Sequence, residues 1–204
     1  MDFADLKKRI DEKGFSYSEY INKTIEEIAT TRIENLTEKE AKRFNFKILN
    51  LQRSTRISRI YKPNKELKKV FGEISEPQTW MVLTENWCGD SAQTLPYIAA
   101  MTTENPLIEL RTLLRDSNPD VMDQYMTNGT RSIPKLVVFN PEGEELFRWG
   151  PRPQPAVNLI NQWKSDGLEK PEWTEKLHLW YARNKGEEIE KEFIELIKKT
   201  ELTH

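Results

Sequence analysis

The spacing of apolar side chains divides the chain into two helical stretches with a stretch of mixed structure between them. Residues 1–76 and 168–204 carry apolar side chains at intervals of three and four residues, which is typical of amphipathic helices. From residue 77 to 167, short apolar runs alternate with helical segments. The predicted order there is strand (79–85), helix from residue 88, strand (107–114), helix from residue 118, strand (136–139), strand (144–149) and helix (155–165).

That order predicts an α/β fold in which a mixed sheet is flanked by helices on both faces. The 204 residues are enough for a single domain of ordinary size with attachments. We therefore expect one compact domain overall, made of a helical N-terminal extension packed on the core (1–76), the sheet-containing core (77–167) and a C-terminal helical extension (168–204).

Local signals mark where several helices begin and end. Residues 16–19 (Ser-Tyr-Ser-Glu) and 37–40 (Thr-Glu-Lys-Glu) have the spacing of a capping box, in which two side chains satisfy each other's backbone N–H groups. Residues 118–119 (Asn-Pro) combine a capping side chain with proline at the first helical position, and residues 128–129 (Asn-Gly) are a stop signal. We predict a helix after each start signal, the third running through Tyr125.

Composition narrows the functional classes. Hydrophobic residues make up 37% of the chain and charged residues 31%, and the net charge is −2, so the whole molecule has no strong electrostatic attraction for nucleic acid or a membrane. No stretch approaches the ~18 apolar residues of a membrane span, and residues 1–20 lack the apolar region of a secretory signal. A single cysteine, Cys88, excludes an internal disulfide. These features favour a cytoplasmic location.

One segment departs from this balance, because residues 42–69 contain ten Lys or Arg residues and one acid, Glu66. The favoured interpretation is a solvated face that acidic segments elsewhere balance. The alternative is an anion site for nucleic acid or for an anionic low-molecular-weight thiol. Nucleic acid is the weaker of these, since the segment lacks aromatic interleaving of the kind that stacks bases on an exposed sheet.

Metal chemistry is not indicated. Two histidines, His178 and His204, and one cysteine fall short of a zinc ligand set. His178 lies beside an apolar stripe that includes Trp173 and Trp180, and such a position is more typical of packing than of ligation. We expect no metal and no bound cofactor, and the sequence carries no signal for an oligomeric state.

The segment around Cys88 carries the candidate chemistry. Trp87-Cys88-Gly89-Asp90-Ser91 follows a predicted strand and opens a predicted helix, which contains Pro96. Further on are Arg131-Ser132-Ile133-Pro134 and, sixteen positions after that proline, Gly150. The Trp87–Ser91 segment, Pro96, the Arg131–Pro134 segment and Gly150 are four sequence features within residues 79–165. Their order and spacing resemble those of the thioredoxin superfamily. The resemblance implies a thioredoxin-like fold with a cis peptide bond before Pro134.

The chain departs from that family's pattern at three positions. Ser91 replaces the second cysteine of the usual dithiol, and Asp90 replaces the proline between the two cysteines. Val82 occupies the position of the buried acid that thioredoxins carry six residues before the first cysteine. The resemblance therefore implies a monothiol site rather than an ordinary dithiol cycle.

The predicted catalytic residues are Cys88 and Ser91. A thiolate is the nucleophile in disulfide exchange, and a helix N-terminus stabilises it. The Ser91 hydroxyl would donate to the sulfur, and Arg131, if it lies near as the family pattern implies, would add a cation. Asp90 would oppose the thiolate, although capping the helix is its favoured role. The net prediction is a moderately lowered pKa for Cys88.

The predicted substrate groove contains Trp87, Gly89, Asp90, Ile133, Pro134 and Gly150. In the family the residue before the cis proline pairs with an extended peptide. Without a second cysteine, a mixed disulfide at Cys88 needs an external thiol for release. We expect protein or small-molecule disulfides as partners and a low-molecular-weight thiol as cosubstrate. The alternative is a redox-inactive or redox-sensing protein that holds a partner in the Trp87, Ile133 and Pro134 groove.

Overall fold

The computed structural model describes the backbone of residues 1–201 and the side chains of residues 1–200. In this part of the chain the helices are α1 (Phe3–Lys13), α2 (Tyr17–Thr30), α3 (Glu38–Ile60), α4 (Lys65–Gly72), α5 (Gly89–Thr102), α6 (Pro119–Met122), α7 (Gln154–Ser165), α8 (Lys170–Asn184) and α9 (Glu187–Glu201). Two short 3-10 turns lie at Ile33–Asn35 and Arg115–Ser117. None of the described helices is long and apolar enough to cross a membrane.

The four strands within residues 1–201 form one mixed sheet in the order β2-β1-β3-β4. They are β1 (Gln78–Thr84), β2 (Ile108–Leu114), β3 (Lys135–Phe139) and β4 (Glu145–Trp149). β1 pairs with β2 in parallel and with β3 antiparallel, and β3 pairs with β4 antiparallel. Every residue of β1 is buried, as its continuous apolar run predicts for a central strand. The predicted mixed sheet is confirmed.

Helices cover both faces of the sheet, as predicted. Alternating residues of β1 point to opposite faces, so Trp80 and Val82 join one core cluster while Met81 and Leu83 join the other. The first cluster is completed by α4, α5 and α9, and the second by α1 and α6. Cys88 belongs to the second cluster.

Both predicted capping boxes are present, at the start of α2 and of α3. The predicted third helix is wrong beyond Met122, where α6 ends after four residues. The Asn118 amide does not cap this helix; it donates to the Leu114 carbonyl at 2.8 Å, at the end of β2. Tyr125 nevertheless packs in the second cluster.

The helices outside the sheet-containing stretch lie against it. α3 packs along α5, and α9 inserts Ile189, Phe193 and Ile197 into the first core cluster. α8 packs on α7 through Leu177 and Tyr181. The proposed boundaries at 76/77 and 167/168 fall between α4 and β1 and between α7 and α8, and the division into three segments stays a prediction.

Candidate active site around Cys88

Cys88 lies at the turn between β1 and α5, where it is the N-cap residue of the helix. Its backbone N–H donates to the Glu85 carbonyl at 3.0 Å, and its carbonyl accepts from the Ala92 N–H at 3.1 Å. The sulfur is the hydrogen-bond donor to the Ile133 carbonyl oxygen, at 3.4 Å. Only 8% of the residue is exposed. The predicted strand–turn–helix around the thiol is therefore present, and it places the thiol against the segment before Pro134.

The Ile133–Pro134 peptide bond is cis, and Gly150 packs directly on it. Gly150 has φ of +103°, and a Cβ atom there would lie 2.3 Å from the Pro134 carbonyl oxygen. Real Cβ atoms do not approach an oxygen so closely, and the backbone conformation also favours glycine. The spacing that links Pro134 to Gly150 in the sequence thus reflects a physical contact beside the thiol.

The predicted lowering of the Cys88 pKa is wrong. Burial, and after it the charge of Asp90, raise the pKa of the thiol. The Ser91 hydroxyl and the backbone N–H groups of Asp90 and Ser91 oppose this rise, because they stabilise the thiolate. While the thiol donates to Ile133, the buried Ser91 Oγ has no hydrogen-bond partner in the described structure. The helix N-terminus does favour the anion, but removing the sulfur from water outweighs it.

Asp90 does not cap the helix with its side chain, contrary to its favoured interpretation. Its carboxylate accepts two hydrogen bonds from Arg152, at 2.9 and 2.5 Å, and a third from the Tyr181 hydroxyl at 3.1 Å. The Asp90 side chain is 12% exposed. Burial raises the pKa of Asp90, and the charge of Arg152 and both donors oppose that rise. A nearly buried carboxylate requires such a set of partners.

Trp87, predicted as an apolar wall beside the sulfur, packs against the core cluster that contains Cys88. Two guanidinium groups also lie over its indole ring, Arg43 at 4.3 Å and Arg115 at 4.9 Å from the centroid. Asp116 holds both arginines in ion pairs of 2.8 and 2.7 Å. The surface next to the sulfur therefore presents cations in addition to the predicted apolar ring.

Arg131 does not supply the expected cation to the thiolate. Its guanidinium makes two hydrogen bonds of 2.7 Å to the Asp123 carboxylate, and this ion pair is exposed. Its backbone carbonyl accepts from Arg115 at 3.1 Å. The Arg131 guanidinium forms its ion pair with Asp123 and not with the sulfur, although Arg131 lies only two positions before Ile133.

The helical extensions meet at Gly89, next to the cysteine. A Cβ at Gly89 would lie 3.2 Å from Cε1 of His178 in α8 and 3.9 Å from Nη1 of Arg53 in α3. The Nδ1 atom of His178 lies 3.3 Å from the side-chain amide nitrogen of Gln93. Burial and the charge of Arg53 lower the pKa of His178 to about 4, so the imidazole is neutral at neutral pH. His178 therefore packs against other residues, which is the interpretation that the sequence favoured over metal ligation. The residue that it packs against is Gly89, in the candidate active site.

Sequence reasoning missed Arg152, Tyr181, Arg53 and His178 as members of this site. One signal could have pointed to Arg152 and Tyr181. Asp90 stands where the family carries proline, and a carboxylate that is buried there must have hydrogen-bond or ion-pair partners. The partners come from residues 62 and 91 positions away in the chain. No periodicity or motif connects positions so far apart.

Among the described side chains, no group of three or more His, Cys, Asp or Glu residues is arranged to hold a metal ion. His204, which the sequence offers as the second histidine, lies outside the described residues. The expectation of no metal and no bound cofactor stays a prediction.

Solved structures with the same overall fold exist. An HIV epitope scaffold shares 16% identity with the chain at a TM-score of 0.58, with 95% of this chain and 97% of the scaffold covered. A protein of unknown function from Pseudomonas aeruginosa shares 17% identity at a TM-score of 0.56, with 91% and 98% covered. At such identities the likeness concerns the fold alone. No curated protein sequence matches the chain.

A comparison with protein families gives a more specific result. The family model described as Thioredoxin matches residues 35–164. The match spans more than half of the chain and includes the turn at Cys88, the cis Ile133–Pro134 bond and Gly150. The chain therefore belongs to the thioredoxin family.

Proposed function

We propose that this protein carries out monothiol thiol–disulfide exchange through Cys88, with an external small thiol completing each cycle. The observation that carries the proposal is the position of the sulfur, at the N-terminus of α5 and 3.4 Å from the Ile133 carbonyl beside Pro134. The 204-residue sequence contains no second cysteine, and Ser91 occupies the place of the resolving thiol in the family. The partners are protein or small-molecule disulfides, and a reducing cytoplasm suits such a thiol.

The cycle has two exchange steps. Cys88 releases its proton to solvent, and the thiolate attacks one sulfur of a disulfide. The substrate S–S bond breaks, a mixed disulfide forms at Cys88, and the displaced thiolate takes up a proton. A small thiol then attacks the mixed disulfide as its thiolate, releasing Cys88 and forming a new disulfide with the departing group. No net electrons are gained or lost by the protein.

Ser91 has a defined role in the first step. Its buried Oγ has no hydrogen-bond partner among the described residues while the thiol donates to Ile133. When the sulfur loses its proton it can no longer donate, and it becomes an acceptor for the Ser91 hydroxyl and for the N–H groups at the start of α5. A hydroxyl that gains its partner only in the thiolate state favours the reactive form.

The direct test is intact-mass spectrometry of the protein after incubation with 2-hydroxyethyl disulfide. We expect one adduct, on Cys88, that disappears when a small thiol such as 2-mercaptoethanol is added. The Cys88→Ser variant is the matched control and forms no adduct. A wild-type protein that stays unmodified when folded, and is modified only after denaturation, contradicts the proposal.

The alternative is a thioredoxin-fold protein that binds a partner in the groove of Trp87, Ile133 and Pro134 without turnover. It is favoured by the small exposed fraction of Cys88 and by its raised pKa. The two functions differ in what Cys88→Ser does in the cell that makes the protein. Exchange requires the sulfur, so the variant loses function, whereas a binding protein retains it.

A further inference from the structure

Arg53 is a half-buried cation without a carboxylate partner in the described structure. It lies in α3, and its guanidinium donates one hydrogen bond, of 3.2 Å, to the side-chain oxygen of Asn50 in the same helix. Burial lowers the pKa of Arg53. Removing a guanidinium from water is unfavourable unless an anion compensates for it.

The groups that face Arg53 are neutral or partly positive. The Gly89 Cβ position lies 3.9 Å from Arg53 Nη1, at the N-terminus of α5, where unpaired N–H groups produce a partial positive charge. His178, from α8, is neutral at neutral pH. Asp90, the next residue after Gly89, already accepts from Arg152 and Tyr181. The described chain therefore offers this guanidinium no anion of its own.

Four other cations of the basic segment 42–69 have acidic partners. Ion pairs connect Arg43 to Asp116, Lys47 to Glu27, Lys68 to Glu104 and Lys69 to Glu73. These pairs agree with the interpretation of the segment as a balanced surface. Arg53 differs from them because it is turned toward the residue that follows Cys88 instead of toward a carboxylate.

We propose that Arg53 binds a carboxylate of the small thiol that exchanges with Cys88, so that the cosubstrate is a carboxylate-bearing thiol. This inference rests on the proposed function. Because Gly89 adjoins Cys88 in the chain, an anion held by Arg53 is separated from the sulfur by the turn at these two residues. A short thiol with a carboxylate a few bonds from its sulfur can span that separation.

The exchange itself is unchanged by this contact. The Cys88 thiolate attacks a sulfur of the small disulfide, its S–S bond breaks, the mixed disulfide forms, and the leaving thiolate takes a proton from solvent. Arg53 forms a charge-assisted hydrogen bond to the carboxylate of the incoming molecule and takes no part in bond making. It is a specificity-determining residue.

The test compares three small disulfides of different charge: glutathione disulfide, which carries carboxylates, neutral 2-hydroxyethyl disulfide, and the dication cystamine. The second-order rate constant of Cys88 modification is measured for each by intact mass, with the wild type, Arg53→Gln and Arg59→Gln. Arg59 is the matched control because it lies further along α3, is exposed, and its replacement removes the same charge.

We expect Arg53→Gln to lower the rate with glutathione disulfide by about tenfold, the loss of one partly buried charge-assisted hydrogen bond. The ratio of the glutathione disulfide rate to the 2-hydroxyethyl disulfide rate should fall by a similar factor, thermal unfolding shows that the variant is folded, and Arg59→Gln should change neither rate beyond the general charge effect. Equal losses for all three disulfides, or equal effects of both variants, overturn the inference while the exchange function stands. Absence of reaction with any disulfide in the wild type overturns the exchange function.

Discussion

The two sides of the turn at Cys88 are built differently. On one side, the sulfur contacts Ile133, and Gly150 packs on Pro134, so the contacts join residues of the family pattern. On the other side, Gly89 and Asp90 are covered by residues from α3, α8 and the segment after β4. The first side contains the residues of the family pattern. The second side carries Asp90, whose charge adds to burial in raising the pKa of this particular thiol.

The difference shows how a common fold acquires a specific site. The helical extensions bring three polar groups to this turn: the neutral imidazole of His178, the half-buried guanidinium of Arg53 and the hydroxyl of Tyr181. Burial of the thiol is the largest cause of its raised pKa. Four substitutions test the two sides separately.

The largest effect is expected on the first side, at Gly150. Replacement by alanine should lower the free energy of unfolding by about 3 kcal/mol, since the new Cβ would meet the Pro134 carbonyl at 2.3 Å in a backbone conformation with positive φ. Denaturant unfolding measures this loss. Gly129→Ala is the control, because its φ is also positive, at +72°, but no described atom lies within 4 Å of a new Cβ, so a loss of about 1 kcal/mol is expected. Equal losses would show that the contact with Pro134 is unimportant.

On the second side, Arg152→Ala should cost about 2 kcal/mol of stability, because it leaves the nearly buried Asp90 carboxylate without its cation. Thermal unfolding of Arg152→Ala, Asp90→Asn and the double variant forms a complete cycle. The double variant should recover most of the loss, since no unpaired carboxylate remains. Additive losses in the cycle would mean that the two side chains do not act as a pair.

The lowered pKa of His178 predicts that the stability of the protein depends on pH. Its pKa is about 4 in the folded protein and 6.5 when unperturbed, so the unfolded chain binds the proton first as the pH falls. Its contribution is complete above pH 6.5 and is lost between pH 6.5 and 4. After allowance for partial exposure, the loss is about 1–2 kcal/mol. The contribution of His178 is isolated by comparing the unfolding free energies of the wild type and His178→Gln at pH 7 and 4.5. Identical pH dependences of the two proteins would contradict the prediction.

The smallest expected effect is on the reactivity of the thiol. Asp90→Asn removes the charge that, after burial, raises the pKa of Cys88, so the pKa should fall and alkylation at pH 7 should become about threefold faster. The pH profile of iodoacetamide modification measures the change. Asp123→Asn removes an equal charge that is paired with exposed Arg131 and should leave the profile unchanged. A slower reaction of Asp90→Asn would show that Asp90 does not oppose the thiolate.

Local features of the fold could be predicted because each depends on neighbours in sequence. The capping boxes at Ser16 and Thr37 formed, since their donors and acceptors lie three residues apart. The same reasoning failed at Asn118, whose side-chain oxygen accepts from Arg9 of α1 at 3.3 Å and makes no cap bond to α6. A local signal holds only where no tertiary partner competes for the same side chain.

The residues next to Cys88 were enough to predict that a single thiol stands between a buried strand and a helix, because those elements are formed by adjacent residues, whereas the family resemblance implied that Pro134 and Gly150 belong to the same site. Tertiary structure alone decided that Asp90 pairs with Arg152 and Tyr181, that Arg131 is committed elsewhere, and that Arg53 and His178 meet at Gly89. It also decided the direction of the Cys88 pKa shift. Desolvation depends on everything that surrounds the sulfur, including helices distant in the chain, and no local pattern contains that information.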